Sequence, residues 1–147
     1  MNFVMFRPYC ATDSLACLDI FDANCPDYFA PNERDDYERF LESTPTGYEV
    51  CEIGGRAVGA FGLFDDGPDE KSLNWILLDP QSHGAGLGRK IMEHVIHLGR
   101  DASARQVNIA ASQKSAPFFA RFGATPTATA IEGWGPGLDR VDMVLLL

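Results

Sequence analysis

Residues 77 to 92 read LLDPQSHGAGLGRKIM, and this stretch constrains the fold more than any other. An apolar run stops at Pro80. Glycines follow at 84, 86 and 88, and a helical pattern then begins with Arg89 and Lys90. A strand that passes through a tight glycine turn into a helix is half of a β-helix-β unit. Its second strand must run parallel to the first, because a crossover helix joins strands that point the same way. The second strand is found at Gln106–Ala110, after a helix whose apolar face is Leu87, Ile91, Val95 and Leu98 and which ends near Gly99.

The flanking sequence supplies antiparallel partners. Tyr48–Ile53 and Arg56–Phe64 are joined by Gly54-Gly55, a pair suited to a two-residue hairpin turn. Ser72–Leu78 follows the polar loop DDGPDE, residues 65–70. Asn2–Arg7 alternates loosely as a strand. Thr12, Asp13 and Ser14 start a helix carrying Leu15, Cys17, Leu18, Ile20 and Phe21, and Pro31 opens another that carries Tyr37, Phe40 and Leu41. Ser115 and Pro117 start a short helix closed by Gly123, with the Ser115 hydroxyl expected as its cap. Thr127–Ile131 and Val141–Leu147 form a last hairpin around GWGPG, which puts Trp134 at its tip. The expected fold is an α/β (α+β) domain over 1–147, with a mixed sheet of about seven strands and helices on both faces.

Composition excludes several functions. The formal charge of −9 argues against nucleic acid and anionic membrane surfaces as partners. No apolar run approaches a membrane span, and MNFVMFRPYC does not read as a secretory signal, so the expected location is the cytoplasm. Cysteines 10, 17, 25 and 51 form no CxxC and are expected as free thiols. His94 and His97 lie one turn apart beside Glu93 but lack a third ligand, so no metal is expected.

The glycine loop fails two phosphate motifs. GxGxxG would need glycine at 89, which is Arg89, and the P-loop would need Ser or Thr after Lys90, which Ile91 is not. A GxGxG turn between strand and helix still aims free N–H groups at the positive end of the helix dipole, and an anion, foremost a phosphate, is its natural occupant. Cations in a first helical turn oppose the dipole by up to about 1 kcal/mol. A bound polyphosphate reverses that sign for Arg89 and Lys90. Alternatively Arg89 simply pairs with Glu93, four residues on.

At this point the chain resembles the GCN5-related N-acetyltransferases (GNAT). Leu78-Asp79-Pro80 and His83-Gly84-Ala85-Gly86-Leu87-Gly88 are similar to that family's strand end and loop. Ala111-Ser112 and Ala116–Ala124, with Phe118-Phe119 before Phe122-Gly123, are similar to a second block. The resemblance implies acetyl-CoA as co-substrate, without a metal. Its pyrophosphate would lie on the backbone of His83, Gly84, Ala85, Gly86, Leu87 and Gly88, with Arg89 nearby. Its pantetheine arm would pair with Ile76, Leu77 and Leu78, and Ser112 and Phe119 would touch it. The thioester would sit where the parallel strands splay, polarised by the Leu78 N–H.

His83 stands where the family has arginine or glutamine, and two further departures bear on the chemistry. Phe119 stands where many members have a proton-donating tyrosine, and Asn74 where many have a glutamate. An amide is not a base, so Asn74 would act through a held water. The expected reaction is acetyl transfer to a primary amine of a small molecule or peptide by direct attack in a ternary complex. The alternative is an acyl-CoA-binding module without turnover. The acceptor site is expected from the first two helices, the DDGPDE loop and the final hairpin, using Asp22, Asp27, Asp65, Asp66, Asp69 and Glu70 against Phe21, Tyr28 and Phe29. The terminal VLLL is expected as an edge that can pair in a homodimer.

Overall fold

The computed structural model describes residues 3–82 and 86–147. Seven strands among these residues form one sheet in the order β1-β2-β3-β4-β5-β7-β6. They are β1 (Val4–Pro8), β2 (Tyr48–Ile53), β3 (Arg56–Asp65), β4 (Glu70–Leu78), β5 (Gln106–Ala111), β6 (Thr125–Gly135) and β7 (Leu138–Leu146). Only the β4–β5 pair is parallel; the other five pairings are antiparallel. The helices are α1 (Ser14–Ala23), α2 (Arg34–Glu42), α3 (Leu87–Asp101) and α4 (Ala116–Ala120).

The two-residue alternation of the strands divides the core. Cys51 and Phe61 point to one face, where Ile91, Met92 and Val95 of α3 and Phe119 of α4 cover them. Their neighbours Val50 and Ala60 point to the other, under Cys17, Leu18 and Phe21 of α1 and Tyr37 and Leu41 of α2. Helices thus lie on both faces, as the sequence pattern implies.

Several local expectations are corrected. α3 continues past Gly99 to Asp101. A Cβ at Gly99 would lie 2.6 Å from Leu147 Cδ1, so this glycine makes room for the end of the chain rather than ending the helix. β7 is not an edge, because it runs between β5 and β6; the edges are β1 and β6. Trp134 lies within β6 rather than at the hairpin tip, since pairing continues to Gly135↔Leu138.

All four cysteines are free, with Cys17 and Cys51 buried. Burial pushes the Cys17 thiol up to about 11. At the start of α1, Arg7 Nη2 donates to Asp13 Oδ1 at 2.6 Å, and Cys10 N donates to Asp13 Oδ2 at 2.9 Å. The guanidinium, first, and these other donors hold the Asp13 carboxyl down at about 2. A carboxyl depressed in the folded state stabilises fully above its unfolded value, 3.8, and that stability is lost as pH falls towards 2. Asp13→Asn is therefore expected to cost about 2 kcal/mol at neutral pH. It should also flatten the stability profile between pH 4 and pH 2, as read by urea unfolding at each pH.

Candidate active site

The parallel pair is short. β4 and β5 are in register from Glu70↔Gln106 to Leu73↔Ile109 and no further. Beyond Leu73, β4 keeps only its pairing with β3, so residues 74–78 present an open edge towards β5. A cleft of about 1010 Å³ occupies the opening.

A bulge in β4 sets this divergence. Ala60 faces Leu77 and Gly62 faces Asn74, so β4 carries one residue more than β3 across the same span. Trp75 takes up the excess at φ +48°, a left-handed conformation that costs a non-glycine residue about 1–2 kcal/mol. Side chains hold it there. The Trp75 ring lies 4.9 Å from Tyr37, and its carbonyl accepts a hydrogen bond from the Tyr48 hydroxyl at 2.7 Å.

The bulge leaves the Leu78 backbone facing the cleft. Asp79 N donates to Val58 O at 2.8 Å, which makes those two residues a hydrogen-bonded pair. Alternation then turns the N–H and C=O of Leu78 away from β3. Asn24 Nδ2 accordingly reaches Leu78 O at 2.9 Å and also Ile20 O at 2.8 Å, tying the end of α1 to the cleft.

Asn74, Ile76, Leu77, Leu78, Gly86, Leu87, Gly88, Arg89, Ser112 and Phe119 all line this one cleft. His83, Gly84 and Ala85 lie outside the described residues. Gly86 sits at φ +73° immediately before α3, where its lack of a side chain permits the turn into the helix. Gly88 packs closely: a Cβ there would meet Phe118 Cε1 at 2.7 Å and Leu78 Cδ2 at 3.4 Å. Arg89 is exposed and lines the cleft, and among the described residues no ion pair joins it to Glu93. Asn74 Nδ2 donates to Ser72 Oγ at 2.8 Å, which leaves its carbonyl oxygen to accept. Asn74 also lines a smaller cleft of about 360 Å³ bounded by Asp66, Asn108 and Asp142.

Ser115 does not cap α4. Its Oγ accepts from Ser112 N at 2.9 Å, while Ser112 Oγ accepts from Lys114 N and Ser115 N at 3.2 and 3.3 Å. The two serines lock the turn after β5, and Ser112 closes the start of the helix instead.

The expected acceptor wall also changes. Phe21 is fully buried in the core, while Tyr28 and Phe29 reach the cleft. Asp22 pairs with Arg34, Asp65 with Lys71, and Asp69 and Glu70 with Arg105. Asp27 is not among the cleft's lining residues, and Asp66 opens only on the smaller cleft. The acidic group in the main cleft is Glu33, from the Pro31–Glu33 turn between α1 and α2. Its signal was a glutamate two residues after the helix-starting Pro31. Trp134 and Arg140 close the far side, with Trp134 Nε1 donating to Ala111 O at 2.9 Å. Arg89, Lys114 and Arg121 line the cleft as well, so that with Arg140 four cations surround the cleft of an acidic chain.

His94 and His97 diverge. His94 stacks 4.1 Å from Phe6 and contacts Glu49, and His97 contacts Asp101.

Comparison with known proteins agrees with this architecture. No curated protein matches the sequence. Ard1 from Thermoplasma volcanium superposes with a TM-score of 0.82 at 15% identity, over 98% of this chain and 97% of that one. A ribosomal-protein-alanine N-acetyltransferase from Brucella melitensis gives a TM-score of 0.74 at 21% identity, over 97% and 99%. Rv2747 from Mycobacterium tuberculosis, solved in complex with CoA, gives 0.73 at 17%, over 97% and 99%. At these identities the likeness establishes a shared fold. Residues 17–124 match the family model described as acetyltransferase (GNAT) family, which is most of the chain, and the protein belongs to that family.

Proposed function

We propose that the protein transfers an acetyl group from acetyl-CoA to a primary amine of a small molecule or peptide, by direct attack in the opening between β4 and β5. The observation that carries this reading is the loss of β4–β5 pairing after Leu73, with the Leu78 N–H turned into the cleft. An extended pantetheine arm fits the free edge of Ile76, Leu77 and Leu78 as an added strand would. Its phosphates fit the turn at Gly86 and Gly88, the start of α3, and the cations Arg89, Lys114 and Arg121. CoA in the Rv2747 structure supports the same assignment.

When bound, acetyl-CoA supplies an already activated thioester. The chain's part is to hold that carbonyl and an amine in attack geometry. The Leu78 N–H faces the position where negative charge develops on the carbonyl oxygen. Asn74, with its amide nitrogen engaged by Ser72, offers its carbonyl oxygen to a water that links the two clefts and relays a proton outward.

Release of free thiol from acetyl-CoA across a panel of primary amines tests the reading. Amine-dependent release supports it. Binding of CoA without release on any amine would make the chain a binding module. Arg89→Ala is expected to weaken CoA about fivefold by calorimetry, the loss of about 1 kcal/mol from an exposed phosphate contact. Unchanged affinity would remove Arg89 from the site. No helix among the described residues is long and apolar enough to cross a membrane.

A further inference from the structure

We propose that Glu33 holds the ammonium of the acceptor and takes its proton, and that this acceptor is a primary amine carried on a flat apolar group. The inference rests on the transferase reading above and adds the group missing from it, since neither Phe119 nor Asn74 can accept the proton.

Glu33 is only 6% exposed, yet it lines the cleft. Its Oε2 accepts from Ala30 N at 2.8 Å. Among the described residues every fully buried side-chain oxygen has a hydrogen-bond partner, and none is found for Oε1. Oε1 therefore keeps some accessible surface, on a residue that lines the cleft. Burial, foremost, raises the Glu33 carboxyl above the usual range; Asp36 adds to this and the Ala30 N–H opposes it. A carboxylate so placed gains by taking either a cation or a proton.

The turn that carries Glu33 is fixed against the reacting end of the sheet. Asn32 Nδ2 donates to Trp134 O at 2.9 Å. A Cβ on Gly135 would come within 2.7 Å of Ala30 Cβ, so the turn rests directly on β6. Trp134 in turn holds Ala111 O, at the free end of β5. This chain of contacts ties the Glu33 turn to β6 and β5, and the cleft that Glu33 lines is the one onto which the open edge of β4 faces. The rings of Tyr28, Phe29, Trp75 and Trp134 line the same cleft. Aromatic faces accept a cation and stack on flat apolar groups.

The proton balance closes. One proton passes from R–NH3+ to Glu33 Oε1, and the freed lone pair forms the C–N bond at the thioester carbon. The C–S bond breaks with its electron pair going to sulfur. The second N–H proton goes to that thiolate, and Glu33 returns its proton to water. The net products are the amide, the free thiol and one proton.

The test compares 2-phenylethylamine with its β,β-difluoro analogue, a probe of the same shape whose amine is largely neutral near pH 7. Glu33→Gln keeps an acceptor for the Ala30 N–H. It is expected to lower kcat/KM for 2-phenylethylamine about 100-fold, while the loss for the fluorinated amine stays within about fivefold. Affinity for CoA and melting temperature should stay at wild-type values. Equal losses for both amines, or a loss below threefold for 2-phenylethylamine, would overturn the proposal. So would a wild-type protein that binds CoA but releases no thiol with 2-phenylethylamine. A wild type that does not bind CoA would instead overturn the transferase reading beneath it. If the variant loses its melting transition, Glu33 is a structural group and the proposal fails.

Discussion

Tyr48→Phe is expected to lower the stability of the protein by about 3 kcal/mol, far more than removal of an ordinary tyrosine hydroxyl. Tyr48 O–H has one proton and gives it to Trp75 O at 2.7 Å. Tyr37, whose oxygen is 2.8 Å away, must therefore be the donor to Tyr48. Burial raises both hydroxyls well above the ordinary tyrosine value, so both stay protonated and able to donate throughout the working pH range. Deleting the middle hydroxyl orphans a part-buried carbonyl and a buried O–H together, and a buried group left unpaired costs about 1–3 kcal/mol. The orphaned carbonyl belongs to the strained Trp75, so β4 loses the contact that holds its bulge. Acetyl transfer should fall along with stability. Urea unfolding measures the first effect; a change below about 0.5 kcal/mol would show that packing of the rings alone holds the bulge.

Gly88→Val is expected to weaken CoA binding by at least about 30-fold, which corresponds to about 2 kcal/mol. A Cβ alone would already lie 2.7 and 3.0 Å from the Phe118 ring. The two further methyl groups need the Phe118 ring, itself part of the cleft wall, or α3 or α4 to move, and overpacking of this kind costs about 1–3 kcal/mol. Gly88 sits where the glycine turn enters α3, so that displacement falls on the cleft wall. Calorimetry with CoA reads the affinity, and a melting curve reports how much of the cost is paid in stability. Binding within threefold of wild type would show that Phe118 yields freely and that the close approach has no bearing on the cleft.

The sequence made the frame of this molecule legible where the signals were local. Gly54-Gly55 marked the β2–β3 hairpin, and Leu87, Ile91 and Val95 marked the buried face of α3. The glycine turn forced the parallel pair and so the mixed sheet. What escaped depends on contacts distant in the chain. The bulge at Trp75 exists because Tyr37 and Tyr48, 38 and 27 residues away, meet over it, and no pattern within β4 announces that. Ser115 looked like a cap because of its position, but Ser112 was better placed to accept from the free N–H groups. The acidic residues named for the acceptor site found arginine and lysine partners elsewhere, whereas the buried Glu33 stood in a capping position that usually marks only a helix start. Fold and cofactor cleft are written in short motifs; the groups that handle the acceptor are assembled by packing.

The most direct measurement of the central claim is a crystal structure of the protein with acetyl-CoA. The thioester is expected in the opening between Leu78 and Ala111, with its carbonyl oxygen within hydrogen-bond distance of the Leu78 N–H and the pyrophosphate at the start of α3. An acetyl group lying outside the β4–β5 opening, or a Leu78 N–H turned away from it, would contradict the account.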